Sequence, residues 1–437
     1  MHRNLHILFL SFIVIYIFGF EYLPLQDYPN WVYHGYLFNQ YVFHGDTFNG
    51  FFHMHPYLPP NAISTIVIGC LSLLTSSLLA GKLFLFATAV SIYSGISSYL
   101  SFHLKDKPYV AAIAAFYFVF NLNFLTGFMN YCFGLGLALH LIVILEKKEL
   151  QINRYVFSAA ILLIYLSHLF ALIVVLLFLS IYAYHHKKYK EVFRLLPSFL
   201  PVIMLIVQYE CTKSTEIADY SVYSMPFVWR KHLVFYSLFA VIMPFHSYQW
   251  VQSMPQMFRS FDFAFCVILS LLVAYFFIRL RRYHKLLEFK LSIIFLVLIV
   301  FSPWYFGGVL IPATRFTIFF ALNIIILVFQ RLKNPKVLRV LLVSGACLAF
   351  VTYGYNLNKA QAYDQIVTSG VLPLDAVMLR NCTFEGTNGF LHLLFYHGIR
   401  YHETLRPFKS GLFDYSEREF NNIGYNMRDN DRSMNNY

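Results

Sequence analysis

At 437 residues, 59% hydrophobic, only 12% charged and with a mean hydropathy of +0.59, the chain carries too little polar surface for a water-soluble globular protein. Its net charge of +12 would suggest a nucleic-acid partner in a soluble protein. Here the basic residues fall in short clusters between apolar runs, which marks the cytoplasmic turns of a polytopic membrane protein and argues against nucleic acid.

The first apolar run, Leu5 to Phe20, follows Arg3 and lacks a small-residue cleavage site, so it reads as a retained anchor with the amino terminus inside. Glu21 to Pro60 comes next. It contains no Lys or Arg but carries Glu21, Asp27, His34, His44, Asp46, His53 and His55, a composition that predicts a long translocated loop built for chemistry. Further spans are expected at about 83–104, 108–121, 129–145, 155–167, 169–184, 195–210, 262–279, 291–303, 312–330 and 338–354. Together with the first they make about 11 transmembrane helices in an all-α polytopic membrane protein, with the carboxyl terminus outside. This arrangement puts the clusters at Lys147, Lys148 and Arg154, at Lys187 to Arg194, at Arg279 to Lys290 and at Arg331 to Arg339 inside.

Asn61 to Ala80 is apolar enough to cross, but a crossing there would invert the later clusters, and its Ser and Thr content after Pro56, Pro59 and Pro60 favours an interfacial or re-entrant helix. The region 210–261 reads as an external loop with an amphipathic insertion. Residues 1–354 thus form the transmembrane domain, 355–420 a small external cap, and 421–437 an Asn- and Asp-rich disordered tail. Cys70, Cys132, Cys266 and Cys347 lie in apolar segments and read as small packed hydrophobes. Cys211 and Cys382 fall in external regions, where pairing between them is open.

Six residues stand out as candidates. Pro29 biases Tyr28 towards an extended conformation, which would leave Asp27 at the membrane mouth, either as a general base with a raised pKa or as the cap of a helix starting near Pro29. His53 and His55 would point the same way on an extended segment. A divalent metal, hydrogen bonding to a polar substrate and plain packing are all open for that pair. Asn130 follows Gly127-Phe128-Met129 and precedes Gly134-Leu135-Gly136, whose spacing permits close helix approach. His168 lies at the external turn between two very apolar half-spans, as a functional group or as a structural one bonded to Ser167 or backbone. Arg315 stands alone at an external helix start, suited to a phosphate at the bilayer surface or to pairing with a carboxylate such as Asp27.

Leu25-Gln26-Asp27-Tyr28-Pro29-Asn30-Trp31-Val32-Tyr33-His34 just beyond the first span resembles the start of the first external loop in the GT-C superfamily of polytopic glycosyltransferases. Gly127 to Tyr131, Ser167-His168-Leu169-Phe170, Arg315-Phe316 and Leu391 to Gly398 are similar to segments of uncharacterised bacterial membrane proteins of this type. The resemblance implies an enzyme of the bacterial inner membrane, multi-pass, with its active face outside. It implies sugar transfer with inversion from a polyprenyl-phosphate donor to a glycan, lipid or protein hydroxyl. Asp27 would be the catalytic base, Arg315 would hold the leaving phosphate, and His34, Asn130 and His168 would line the cavity. A transporter or flippase, and a lipid-linked oligosaccharide polymerase or ligase, are the alternative classes. No paired interrupted helices in matching halves support the former, and the densest polar loop is the first rather than a late one.

Overall fold

The computed structural model describes residues 2–23, 25, 27–46, 52–55, 57–212, 278–279, 281–302, 305–306, 309–310, 313–331, 361 and 413–415. Among them the chain is helical apart from four strands of two or three residues. In chain order the elements are α1 (His2–Phe18), α2 (Tyr28–Phe43), β1 (Phe52–Met54), α3 (Ala62–Leu71), α4 (Ser77–His103), α5 (Pro108–Val119), α6 (Leu122–Leu125), α7 (Met129–Lys147), α8 (Arg154–Ser167) and α9 (Leu169–His186). They continue with α10 (Tyr189–Leu195), α11 (Leu200–Thr212), α12 (Leu287–Phe301), β2 (Tyr305–Phe306), β3 (Val309–Leu310), α13 (Ala313–Arg331) and β4 (Phe413–Tyr415).

Six helices are long and apolar enough to cross a bilayer: Ser77–His103, Pro108–Leu125, Met129–Lys147, Leu169–His186, Tyr189–Cys211 and Ala313–Arg331. The protein is a helical membrane protein. α1, α3 and α8 are apolar but shorter. The expected spans at 338–354 and, apart from residues 278–279, at 262–279, like the region 213–261 and most of the cap, lie outside the described residues. Asn61 to Ala80 is not one helix. It divides into the ten-residue α3, about 15 Å long, and the start of α4, with Ser72 to Ser76 between them.

α7 is the central strut. A Cβ added to Gly95 on α4 would lie 2.7 Å from the Gly136 carbonyl, and one on Gly136 would lie 2.2 Å from the Ser91 hydroxyl, so α4 and α7 touch backbone to backbone. Gly134 presents its bare side to Ser167 and Ala171, at 3.0 and 3.1 Å from an added Cβ, which admits α8 and α9. The two glycines thus serve different faces of α7, and each allows the close helix approach their spacing suggested.

The basic turns gather at one end of this bundle. His103 lies 3.4 Å from Glu146 and 3.6 Å from Glu288, Lys188 pairs with Glu149, and Arg194 donates to the Leu150 carbonyl at 3.0 Å. Lys290 sits 3.2 Å from His185, and Lys107 reaches the Phe329 carbonyl. Because α7 runs from Met129 to Lys147, its other end lies about 27 Å away.

Two expectations are corrected. Tyr28 is helical rather than extended: α2 occupies residues 28–43 of the expected loop, and Pro29 falls within its first turn, where its missing N–H costs nothing, as the alternative of a helix starting near Pro29 requires. Cys70 is exposed on α3 rather than packed, whereas Cys132 is buried as expected; Cys211 is exposed and forms no disulfide among the described residues, and Cys266, Cys347 and Cys382 lie outside them.

Candidate functional site

The far end of α7 is built on a turn that only glycine can make. Gly127 has φ +79°, and a Cβ there would lie 2.4 Å from the Tyr28 backbone nitrogen and 2.8 Å from that of Asp27. Beside it, the Asp27 N–H donates to the Thr126 carbonyl at 2.8 Å. The start of α2 is thereby joined to the start of α7.

Asp27 occupies the N-cap position of α2, yet its carboxylate makes no capping bond to that helix. An Asp in this position ordinarily spends an oxygen on the N2 or N3 amide. Here the side chain does not cap α2 and is half-buried among protein atoms. Burial pushes its pKa from the usual carboxylate range up to about 7, against the opposing pull of the Arg315 guanidinium.

Arg315 lies in the first turn of α13 and is 3% exposed. Its Nη1 donates to the Asn123 side-chain carbonyl and, at 3.3 Å, to the Thr314 hydroxyl. The guanidinium carbon sits 4.0 Å from the centre of the Phe128 ring and 5.1 Å from that of Tyr131. The Tyr131 hydroxyl in turn donates to the Arg315 carbonyl. The arginine is therefore a fixed, ring-flanked charge rather than a mobile surface one.

Asn123 is the residue the sequence reading missed. Its amide holds the Thr314 carbonyl at 3.1 Å while its carbonyl takes both the Thr314 hydroxyl, at 3.2 Å, and Arg315. The signal was present in Asn121-Leu122-Asn123-Phe124, two amides within an apolar run. Asn121 accepts from the Asn123 and Phe124 N–H groups at 2.8 and 3.2 Å, forming the short turn that presents Asn123.

Asn130 caps neither its own helix nor a distant one by chance: its Oδ1 accepts the Ser64 N–H at 3.0 Å, fixing the start of α3. Its Nδ2 is buried without a hydrogen-bond partner among the described residues. His168 is the N-cap of α9, where Nδ1 accepts the Phe170 N–H at 3.1 Å. A neutral ring must then carry its proton on Nε2. That ring stands edge-on to Tyr131 at 5.3 Å, while Ser167 bonds the Leu163 carbonyl instead. His34 is fully buried two turns into α2, 5.7 Å from the Trp31 ring.

The contacts thus bring Asp27, Asn130, His168 and Arg315 around Phe128 and Tyr131, while His34 lies farther along α2. His53 and His55 are elsewhere. His53 is in β1 opposite Asp414 of β4, and His55 stacks on Tyr57 at 5.0 Å. Among the described residues no three His, Cys, Asp or Glu side chains converge as metal ligands.

Two features give this end its chemical character. The N-termini of α2, α3, α7, α9 and α13 meet here, each contributing the positive end of its dipole. Buried polar atoms also collect here without partners among the described residues: Arg315 Nε, Asn130 Nδ2, Ser64 Oγ, Thr65 Oγ1 and the Tyr165 hydroxyl. Unpaired buried groups cost about 1–3 kcal/mol each, which is a reason to expect a polar ligand in their midst. No family model, curated protein or solved structure matches this chain.

Proposed function

We propose that this protein is a GT-C-type glycosyltransferase that moves a sugar, with inversion, from a polyprenyl-phosphate donor to an acceptor hydroxyl on the external face of a bacterial inner membrane. The observation that carries this reading is the pairing of a half-buried carboxylate poised near pH 7 with a buried guanidinium, amid five helix N-termini and unpartnered polar atoms. A base is most effective when its pKa lies near the working pH. Asp27 takes the acceptor proton, the acceptor oxygen bonds the anomeric carbon, and the bond from that carbon to the phosphate oxygen breaks. The departing phosphate carries the developing charge, which the helix N-termini and Arg315 are suited to stabilise. Asn130 and His168 line the same space, Asn130 through its unpartnered amide and His168 through Nε2.

In this reading the bundle crosses about 11 times. Support comes from β1 and β4, which pair antiparallel with Met54 opposite Phe413. Two segments paired in one small sheet share a membrane face, so an even number of crossings separates them, as ten between residues 60 and 355 requires.

The test is transfer from a labelled polyprenyl-phosphate sugar by the purified protein in proteoliposomes, with donor affinity measured for Arg315→Lys and Arg315→Ala. Phosphate recognition predicts weaker donor binding in Arg315→Lys, which keeps the charge but loses the fork, and weaker still in Arg315→Ala. Unchanged donor affinity in Arg315→Ala at preserved fold would overturn the assignment of Arg315.

A further inference from the structure

At the opposite end of the bundle, a cavity of about 610 Å³ opens between α1, α4 and α7. One wall is α4 from Val90 to Phe102, a rise of about 18 Å, more than half the hydrocarbon thickness of a bilayer. Leu10, Val90 and Phe102 give it apolar surface, and Lys105 and Lys147 stand at its basic end. Both lysines are exposed, and neither is in an ion pair among the described residues; Lys147 lies 5.7 Å from the Phe102 ring.

Three of the four serines in the wall are unusual. Ser94, Ser167, Ser180, Ser292 and Ser302 all turn their hydroxyls back to the carbonyl four residues earlier, the ordinary resting place for serine in an apolar helix. Ser97, Ser98 and Ser101 face the cavity, and no hydrogen bond to their hydroxyls is found among the described residues. A span that leaves three hydroxyls turned into a groove, with two lysines at its mouth, is matched to a ligand with polar and apolar parts.

We propose that this cavity seats one anionic phospholipid, with its phosphate between Lys105 and Lys147, its glycerol region against Ser97, Ser98 and Ser101, and an acyl chain along Leu10 and Val90. Basic residues at this end of the bundle favour anionic over zwitterionic headgroups by charge, and the apolar wall favours a lipid over a free anion. The site is separate from Asp27 and does not depend on the catalytic reading.

The experiment is native mass spectrometry of the full-length protein in detergent, with phosphatidylglycerol or phosphatidylcholine added at equal concentration, beside thermal melting with each lipid and with inorganic phosphate. Retention of phosphatidylglycerol over phosphatidylcholine by about tenfold or more is expected, on the scale of two lysines near a headgroup. Lys105→Gln with Lys147→Gln should abolish that preference, and Ser98→Leu, which fills the groove while keeping both charges, should lower retention of the lipid. Equal retention of the two lipids, a preference that survives both variants, or equal stabilisation by inorganic phosphate alone would overturn the proposal.

Discussion

The backbone N–H of Asp27 donates to the carbonyl of Thr126 at 2.8 Å, joining residues almost a hundred positions apart. This bond sets the start of α2 against the turn that launches α7, and the Asp27 carboxyl, which makes no cap bond to α2, feels the charge of Arg315.

Gly127→Ala tests that junction. The substitution forces a Cβ into the Asp27–Tyr28 backbone at a φ of +79°, so the turn must give way. A loss of about 2 kcal/mol or more is expected from the left-handed backbone and the clash together. Thermal melting in detergent would show it, and an unshifted transition would mean that the two helix starts are not joined as described.

Asp27 itself makes stability depend on pH. In the unfolded chain its carboxyl ionises near 3.8, whereas in the folded protein it holds its proton up to about 7. Between those values the folded state binds more protons, so raising the pH weakens the fold across this window and the penalty is complete above about pH 7. Asp27→Asn should remove this dependence and melt higher than wild type at pH 8. A variant that melts lower at pH 8, with the same slope against pH, would contradict the burial of the charge.

Asn123 holds Arg315 in place, so Asn123→Ala should cost about 2–4 kcal/mol by leaving a buried guanidinium short of an acceptor. Asn123→Asp keeps an acceptor and should restore much of the stability. It also partly neutralises Arg315, so the apparent pKa governing activity should rise above that of wild type, because Arg315 is what lowers the Asp27 pKa. Melting curves and a pH–rate profile separate the two effects.

Sidedness can be read from the short sheet. Cysteines at Met54 and Phe413 lie directly opposite in β1 and β4, with Cβ atoms about 4.5–5.5 Å apart in such pairs. The double variant should form a disulfide in oxidising conditions, and each single cysteine should react with a membrane-impermeant reagent in intact cells. Labelling of one but not the other would mean an odd number of crossings between them.

Much of this was legible in the sequence because it depends on pattern. The glycines at 134 and 136 announced close helix approach, and the basic clusters announced a common end. Asp27 and Arg315 were conspicuous as charges beside apolar runs. What escaped depends on distant partners. Asn123 is separated from Arg315 by 192 positions, and no local rule connects an amide in one turn with a cation in another. The flanking of Arg315 by Phe128 and Tyr131 escaped for the same reason. A helix starting near Pro29 was one of the two readings its sequence allowed, and α2 is that helix, because at a helix start the fixed φ of proline favours the helix.

The most direct measurement is turnover of a polyprenyl-phosphate sugar by wild type and Asp27→Asn, each shown to be folded by its melting curve. Wild-type transfer should increase with pH through about 7 as Asp27 ionises, and Asp27→Asn should fall by at least about a hundredfold at every pH. Transfer by Asp27→Asn at near the wild-type rate would contradict the assignment of Asp27 as the base.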